Sequence, residues 1–156
     1  MNAKELSTIF RNKGRTLSAV ESLTGGLFSS TITAISGASH FFKGGIVTYM
    51  TEEKVRLLNI SYDEIDKYGV VSEQIASLMA ARGARMLKSD YCVSFTGNAG
   101  PEAMEGKPVG TVYMGFYCYN KVAVYHFQFN GSREQIREEC INHAIDILGE
   151  LVLSNS

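Results

Sequence analysis

Thr16-Leu17-Ser18-Ala19-Val20-Glu21-Ser22-Leu23-Thr24-Gly25-Gly26 is the stretch on which the fold turns. Thr16 to Val20 predicts a short strand, and Glu21 to Gly26 a turn that opens a helix running to about Ile35. Gly37-Ala38-Ser39 breaks that helix, and Phe41 to Met50 contains a second predicted strand with Gly44 and Gly45 at its start. A strand feeding a helix through a glycine turn, followed by another strand, is the repeating unit of an α/β sheet.

The pattern extends in both directions. Asn2 to Lys13 places Leu6, Ile9 and Phe10 on one helical face, with Gly14 as its stop. Thr51 is read as the cap of the helix after the second strand, with Glu52 and Glu53 in its first turn. Ser61-Tyr62-Asp63-Glu64 matches a capping box. Ser72 opens a longer helix in which Ile75, Leu78, Met79 and Met86 recur at helical spacing. Tyr91 to Thr96 alternates as a strand would and runs into a loop from Gly97 to Pro108. Val109 to Tyr119 and Val122 to Phe129 form a hairpin turning at Asn120. Ser132-Arg133-Glu134-Gln135 is a second capping box, starting a helix that buries Ile136, Cys140, Ile141, Ala144, Ile145 and Leu148. Interleaved helices and strands predict an α/β fold with helices packed on a mixed sheet. Ser154 to Ser156 reads as a frayed tail.

The 156 residues fit one domain, 1–156, with no linker or repeat. A 45% hydrophobic and 20% charged composition with two prolines is that of a globular chain. A net charge of −1 argues against a nucleic-acid partner. No apolar run reaches the roughly 18 residues of a membrane span, and Met1 to Arg15 lacks a signal-peptide core, so a cytoplasmic protein with no membrane partner is expected. Cys92, Cys118 and Cys140 fit neither a zinc site nor a redox pair, and are expected to be reduced and buried.

Three glycine-bearing loops follow strands, where ligands gather in open α/β sheets: Ser22 to Gly26, Tyr49 to Lys54, and Thr96 to Pro101. Two readings of Ser22 stand at this point, a helix cap or a nucleophile. A nucleophilic serine needs a base. His126 and His143 sit in the hairpin and the last helix, and His40 has no acid nearby in sequence. Lys54 is the better candidate: burial, or the positive end of its own helix, would lower its pKa, and Tyr49 could orient or relay a proton. A solvated surface lysine is the alternative. Arg133, at the start of the last helix, suits a phosphate or carboxylate, or is a plain surface arginine.

Taken together, Ala19-Val20-Glu21-Ser22-Leu23-Thr24-Gly25-Gly26, Phe42 to Tyr49, Lys54 with Leu57-Leu58, Gly69 to Glu73, Thr96-Gly97-Asn98-Ala99-Gly100-Pro101, Lys107 to Val112 and Gly131-Ser132-Arg133 resemble the CinA C-terminal family, in that family's order and spacing. Characterised members are nicotinamide mononucleotide deamidases. The resemblance implies a three-layer α/β/α sandwich and a serine–lysine amidase, with Ser22 as nucleophile, Lys54 as base and Tyr49 in support. It implies an oxyanion site at Thr24, Gly25 and Gly26. It further implies substrate contacts at Gly45, Thr96, Gly97, Ala99, Gly100 and Arg133. Nicotinamide mononucleotide is the implied small-molecule partner, with no metal and no cofactor, and the surface leaves room for a homo-oligomer.

The chain departs from the family pattern at several places. Leu23 stands for a usual cysteine, Asn98 for an apolar residue, Met50-Thr51-Glu52 for a Ser-Asn pattern and Ser132 for an aspartate, and Glu102 to Gly106 lacks the usual acidic-glycine start. These altered loops keep two further readings open: a catalytically silent binding or regulatory module, and an amidase for another small carboxamide.

Overall fold

The computed structural model describes residues 1–155. In chain order they form helix α1 (Ala3–Lys13), strand β1 (Leu17–Glu21), α2 (Leu27–Thr33), a single 3-10 turn (Ala38–His40), β2 (Phe42–Val47), α3 (Thr51–Leu58), α4 (Tyr62–Tyr68), α5 (Glu73–Leu87), β3 (Tyr91–Gly97), β4 (Thr111–Cys118), β5 (Lys121–Gln128) and α6 (Arg133–Ser154). The strands make one mixed sheet in the order β2-β1-β3-β4-β5. β2, β1 and β3 are parallel, whereas β4 pairs antiparallel with β3 and with β5.

Two apolar cores flank the sheet. Leu17 and Ala19 of β1 and Tyr91, Val93 and Phe95 of β3 face α1, α2 and α6, meeting Leu6, Phe10, Phe28, Ile136, Cys140 and Leu148. Val20 and Cys92 point the other way, toward Leu58, Ile60, Ile65, Ile75 and Met79 of the α3 to α5 side. The architecture is a three-layer α/β/α sandwich. Central strands covered on both faces need apolar side chains on both, which is why β3 is buried from Tyr91 to Thr96 instead of alternating. Helix α5 lies close on the sheet because its partner strand is bare there: a Cβ at Gly115 of β4 would sit 2.5 Å from the Ala76 carbonyl oxygen.

Both capping boxes form, Ser61 with Glu64 and Ser132 with Gln135. Asn2 and Ser72 cap α1 and α5, and Gly14 ends α1 in the left-handed region. The hairpin turns at Tyr119-Asn120, both at positive φ, as a two-residue turn matched to strand twist requires.

Some expectations need correction. Thr51 is the first helical residue of α3; Met50 holds the cap position, with no side-chain hydrogen bond. The buried stripe of α5 is Ile75, Ala76, Met79, Ala80, Gly83 and Ala84, while Met86 is exposed and Leu78 half-buried: small residues, not the longer ones, let the helix approach the sheet. α2 stops at Thr33, shorter than the pattern suggested, while β2 falls inside the expected stretch and ends at Val47. Cys92 and Cys140 are buried free thiols that burial pushes up to about 12, but Cys118 is only half-buried. α6 continues through Ser154, so the tail begins later than expected, and Ser156 lies outside the described residues.

Candidate active site

The parallel strands β1, β2 and β3 carry their chains to one end of the sheet. β1 ends at Glu21, so Ser22 is the first residue beyond it and remains 8% exposed. β2 ends at Val47; Thr48 then donates its N–H to the Glu21 carbonyl, which ties the start of the Tyr49 loop to the end of β1. α3 follows, and its fourth residue, Lys54, is fully buried.

Lys54 Nζ donates to Ser22 Oγ at 3.1 Å and to the Thr48 carbonyl oxygen at 2.7 Å. None of the ion pairs among the described residues includes Lys54. Burial disfavours an ammonium that has no counter-charge, and it lowers the Lys54 pKa from 10.5 to about 8. Burial, one of the two causes weighed from sequence, lowers it here. A neutral amine at this place can accept the Ser22 proton while the Thr48 carbonyl holds one of its N–H bonds.

The turn after Ser22 is fixed by Glu21. Its buried carboxylate accepts the N–H groups of Gly26 (3.2 Å), Phe28 (3.0 Å) and Ser29 (2.9 Å) and the Ser29 hydroxyl (2.6 Å). Gly25 and Gly26 supply the positive φ values the turn needs. Their amides are already engaged, Gly25 N–H with the Ser22 carbonyl (3.0 Å) and Gly26 N–H with Glu21. The N–H groups of Leu23 and Thr24 have no acceptor among the described residues. The oxyanion donors that this turn can offer are therefore Leu23 and Thr24.

Ser22 opens onto a cavity of about 130 Å³ walled also by Leu23, Tyr49, Gly97, Asn98, Ala99, Met104 and Arg133. Tyr49 is exposed at its mouth, and its hydroxyl accepts from Arg133 Nη2 at 2.8 Å. Arg133 Nη1 donates to the Gly100 carbonyl at 2.5 Å. Arg133 thus fastens the loop after β3 to the loop after β2. Lys54 reaches Ser22 directly, so no tyrosine relay is required.

Other residues singled out from sequence stand elsewhere. Thr96 is buried, its hydroxyl donating to the Val70 carbonyl at 2.8 Å. Gly45 packs under α2, where a Cβ would meet Ser29 Oγ at 2.1 Å, and it lines a different, larger groove of about 600 Å³ along β2. That groove carries hydroxyls and Lys43 but no paired nucleophile and base. His40 and His126 are exposed and far in contacts from Ser22: His40 bonds Gly37, and His126 stacks on Tyr113.

Sequence reasoning passed over four contributors. Glu21 and the Thr48 carbonyl shape the nucleophile and base. Asn98, 3% exposed, accepts the Gly100 N–H through Oδ1 (2.9 Å) while its Nδ2 has no partner. Arg137 donates through Nε and Nη2 to the carbonyls of Leu23 and Thr24, each at 3.0 Å. Only Asn98 had a sequence signal, its departure from an apolar position. Among the described residues no group of three or more metal-ligating side chains gathers, and no helix is long and apolar enough to cross a membrane.

The family model described as the CinA C-terminal domain matches residues 1–152. A competence-damage inducible protein of Streptococcus pneumoniae (strain ATCC 700669 / Spain 23F-1) is 42% identical over 146 residues, which are 93% of this chain and 35% of that protein. The chain thus spans about a third of the length of the curated relatives it matches. Among solved structures, a CinA superfamily protein from Klebsiella pneumoniae 700603 superposes with a TM-score of 0.94 at 26% identity, covering 99% of both chains. The competence/damage inducible protein CihA from Agrobacterium tumefaciens gives 0.89 at 31% identity, over 94% of this chain and 90% of that one.

Proposed function

We propose, from the premise that this chain belongs to the CinA C-terminal domain family, that it is a serine–lysine amidohydrolase converting nicotinamide mononucleotide and water to nicotinate mononucleotide and ammonia. One observation carries the chemistry: among the described residues, a fully buried lysine with no carboxylate partner stands 3.1 Å from the one serine hydroxyl that lines the cavity at a strand end. The substrate comes from the family resemblance, and Arg133 at the mouth suits its phosphate.

Neutral Lys54 takes the Ser22 proton as Oγ attacks the carboxamide carbon, and the carbonyl π electrons move to oxygen. The free N–H groups of Leu23 and Thr24 meet that oxyanion. The ammonium of Lys54 returns its proton to the amide nitrogen; the C–N bond breaks and ammonia leaves. Water, deprotonated by the same amine, then attacks the acyl-serine ester, and Ser22 departs with its proton restored. Tyr49 and Arg133 hold the substrate without taking part in proton transfer.

The test is ammonia release from nicotinamide mononucleotide by the purified protein, with Ser22→Ala as control. Release by the wild type alone supports the proposal. Equal release by both proteins defeats the serine mechanism.

The cavity favours a second reading. Its volume of about 130 Å³ falls below the ~300–1,000 Å³ of common ligand pockets, which suits a smaller carboxamide. Parallel assays with nicotinamide and nicotinamide riboside separate the two readings, since a higher kcat/KM on the smaller amide would favour this one.

A further inference from the structure

The two unengaged amides of the nucleophile turn are held by hydrogen bonds on the opposite edges of the same peptide groups. In a trans peptide the C=O and N–H point in opposite directions, so fixing one aims the other. The peptide between Leu23 and Thr24 has its carbonyl on Arg137 Nε at 3.0 Å, and its N–H is the free donor of Thr24. The peptide between Thr24 and Gly25 has its carbonyl on Arg137 Nη2 at 3.0 Å, and its N–H runs to the Ser22 carbonyl at 3.0 Å. The peptide between Ser22 and Leu23 is thereby held as well, and its N–H is the free donor of Leu23. One guanidinium thus controls both donors, one directly and the other through a second peptide.

We propose that Arg137 is a positioning residue for catalysis, whose guanidinium sets and polarises the Leu23 and Thr24 amides that receive the oxyanion. The inference rests on the serine mechanism proposed above. Arg137 appears in none of the ion pairs among the described residues, so its charge is not spent on a carboxylate. Hydrogen bonds in series polarise one another, and a charged donor at the head of such a chain strengthens the acidity of the N–H at its tail. Planar, two-pronged donation is what an arginine offers and a lysine does not. The placement also explains why the turn can keep two donors unpaired: the outward carbonyls are anchored to α6, so the peptides cannot rotate to satisfy their N–H groups elsewhere.

The experiment compares wild type, Arg137→Ala and Arg137→Lys in two assays. One is ammonia release from nicotinamide mononucleotide. The other is the p-nitrophenolate burst from p-nitrophenyl acetate, which needs Ser22 and the oxyanion donors but no nucleotide. Arg137→Ala should lower kcat and the burst rate on the order of 10²-fold, the scale of losing one oxyanion donor, with KM within about threefold. Guanidinium ion at non-denaturing concentration should restore part of that rate in Arg137→Ala. Arg137→Lys, which keeps the charge but spans one carbonyl, should fall between the two and gain nothing from guanidinium. If Arg137→Ala does not fold, the Lys variant carries the test, and wild-type acylation by it overturns the proposal. An unchanged burst in a folded Ala variant, or a loss confined to KM, overturns it also. A wild-type burst with no ammonia release would remove the nucleotide as substrate while the burst still judges Arg137. Absence of both in the wild type would remove the serine mechanism and this inference together.

Discussion

The parallel half of the sheet, β2-β1-β3, and the antiparallel hairpin of β4 and β5 solve different problems with the same pleated backbone. The hairpin is filled with rings: Tyr113 stacks on His126 at 4.5 Å, Phe116 meets Tyr125 edge-on at 5.5 Å, and Phe127 lies on Phe129 at 5.1 Å. Its side chains leave no buried polar atom without a partner among the described residues. The ends of the parallel strands are the reverse. Of the four buried polar side-chain atoms without a hydrogen bond among the described residues, three belong to Thr24, Thr48 and Asn98, all beside Ser22 or Lys54. Burying unpaired polar groups costs stability. One half of the molecule is therefore stabilised by packing, and the other keeps unpaired polar groups buried around the nucleophile and its base.

The sharpest way to break that contrast is Ser22→Ala. Ammonia release should fall by on the order of 10³-fold or more, while the melting temperature stays within a few degrees. Lys54→Met should do comparable damage to turnover, on the order of 10²–10⁴-fold, yet raise stability. A lysine pKa lowered from 10.5 to about 8 corresponds to roughly 3 kcal/mol of cost while the group is protonated. The sign follows from proton counts. Below pH 8 both folded and unfolded chains carry the proton and the cost is complete. Between about 8 and 10.5 the folded chain has lost it and the unfolded chain has not, so stability rises with pH and the cost vanishes above that window. Chemical denaturation of wild type and Lys54→Met at pH 7 and pH 10 should show the gap between them closing. The wild-type rate should climb with pH and level off above about 8, where the amine is neutral.

How much of this was legible before the structure depends on whether the signal was local. Asn2, Ser61, Ser72 and Ser132 announce their helices because a cap is settled within four residues. The mixed sheet followed from the order of elements. Lys54 was another matter: Glu52-Glu53-Lys54 at a helix start reads as a solvated turn, and Lys54 stood out as a base only because the histidines are poorly placed and the family resemblance supports it. Its hydrogen-bond partner Ser22 stands 32 residues away. Arg137 was invisible for the same reason, since its partners lie 113 and 114 positions earlier. Glu21 reads as the first residue of a turn, and nothing nearby announces that its carboxylate would gather four donors from the start of the following helix.

Smaller effects refine the comparison. Asn98→Leu removes the unpartnered donor from the cavity wall. KM for the substrate should rise about tenfold, the scale of one hydrogen bond, with kcat little changed; steady-state kinetics decides it. On the other half, Tyr125→Ala should cost about 1 kcal/mol by loss of its edge contact with Phe116 and leave turnover unchanged. A large change in turnover from that variant would show that the two halves are not separable.

Helix α6 has 22 residues, about 33 Å at 1.5 Å per residue. It begins beside the cavity with Arg133 and carries the chain away from it. The amino terminus is fastened along the same helix, with the Met1 ammonium 3.0 Å from Asp146, more than three turns past Arg133. Both ends of the described chain therefore lie along the second half of α6, away from the pocket. A fluorescent protein, an affinity handle or a surface tether joined at either end would leave the mouth between Tyr49 and Arg133 unobstructed, so the protein can be immobilised by its termini and assayed in place.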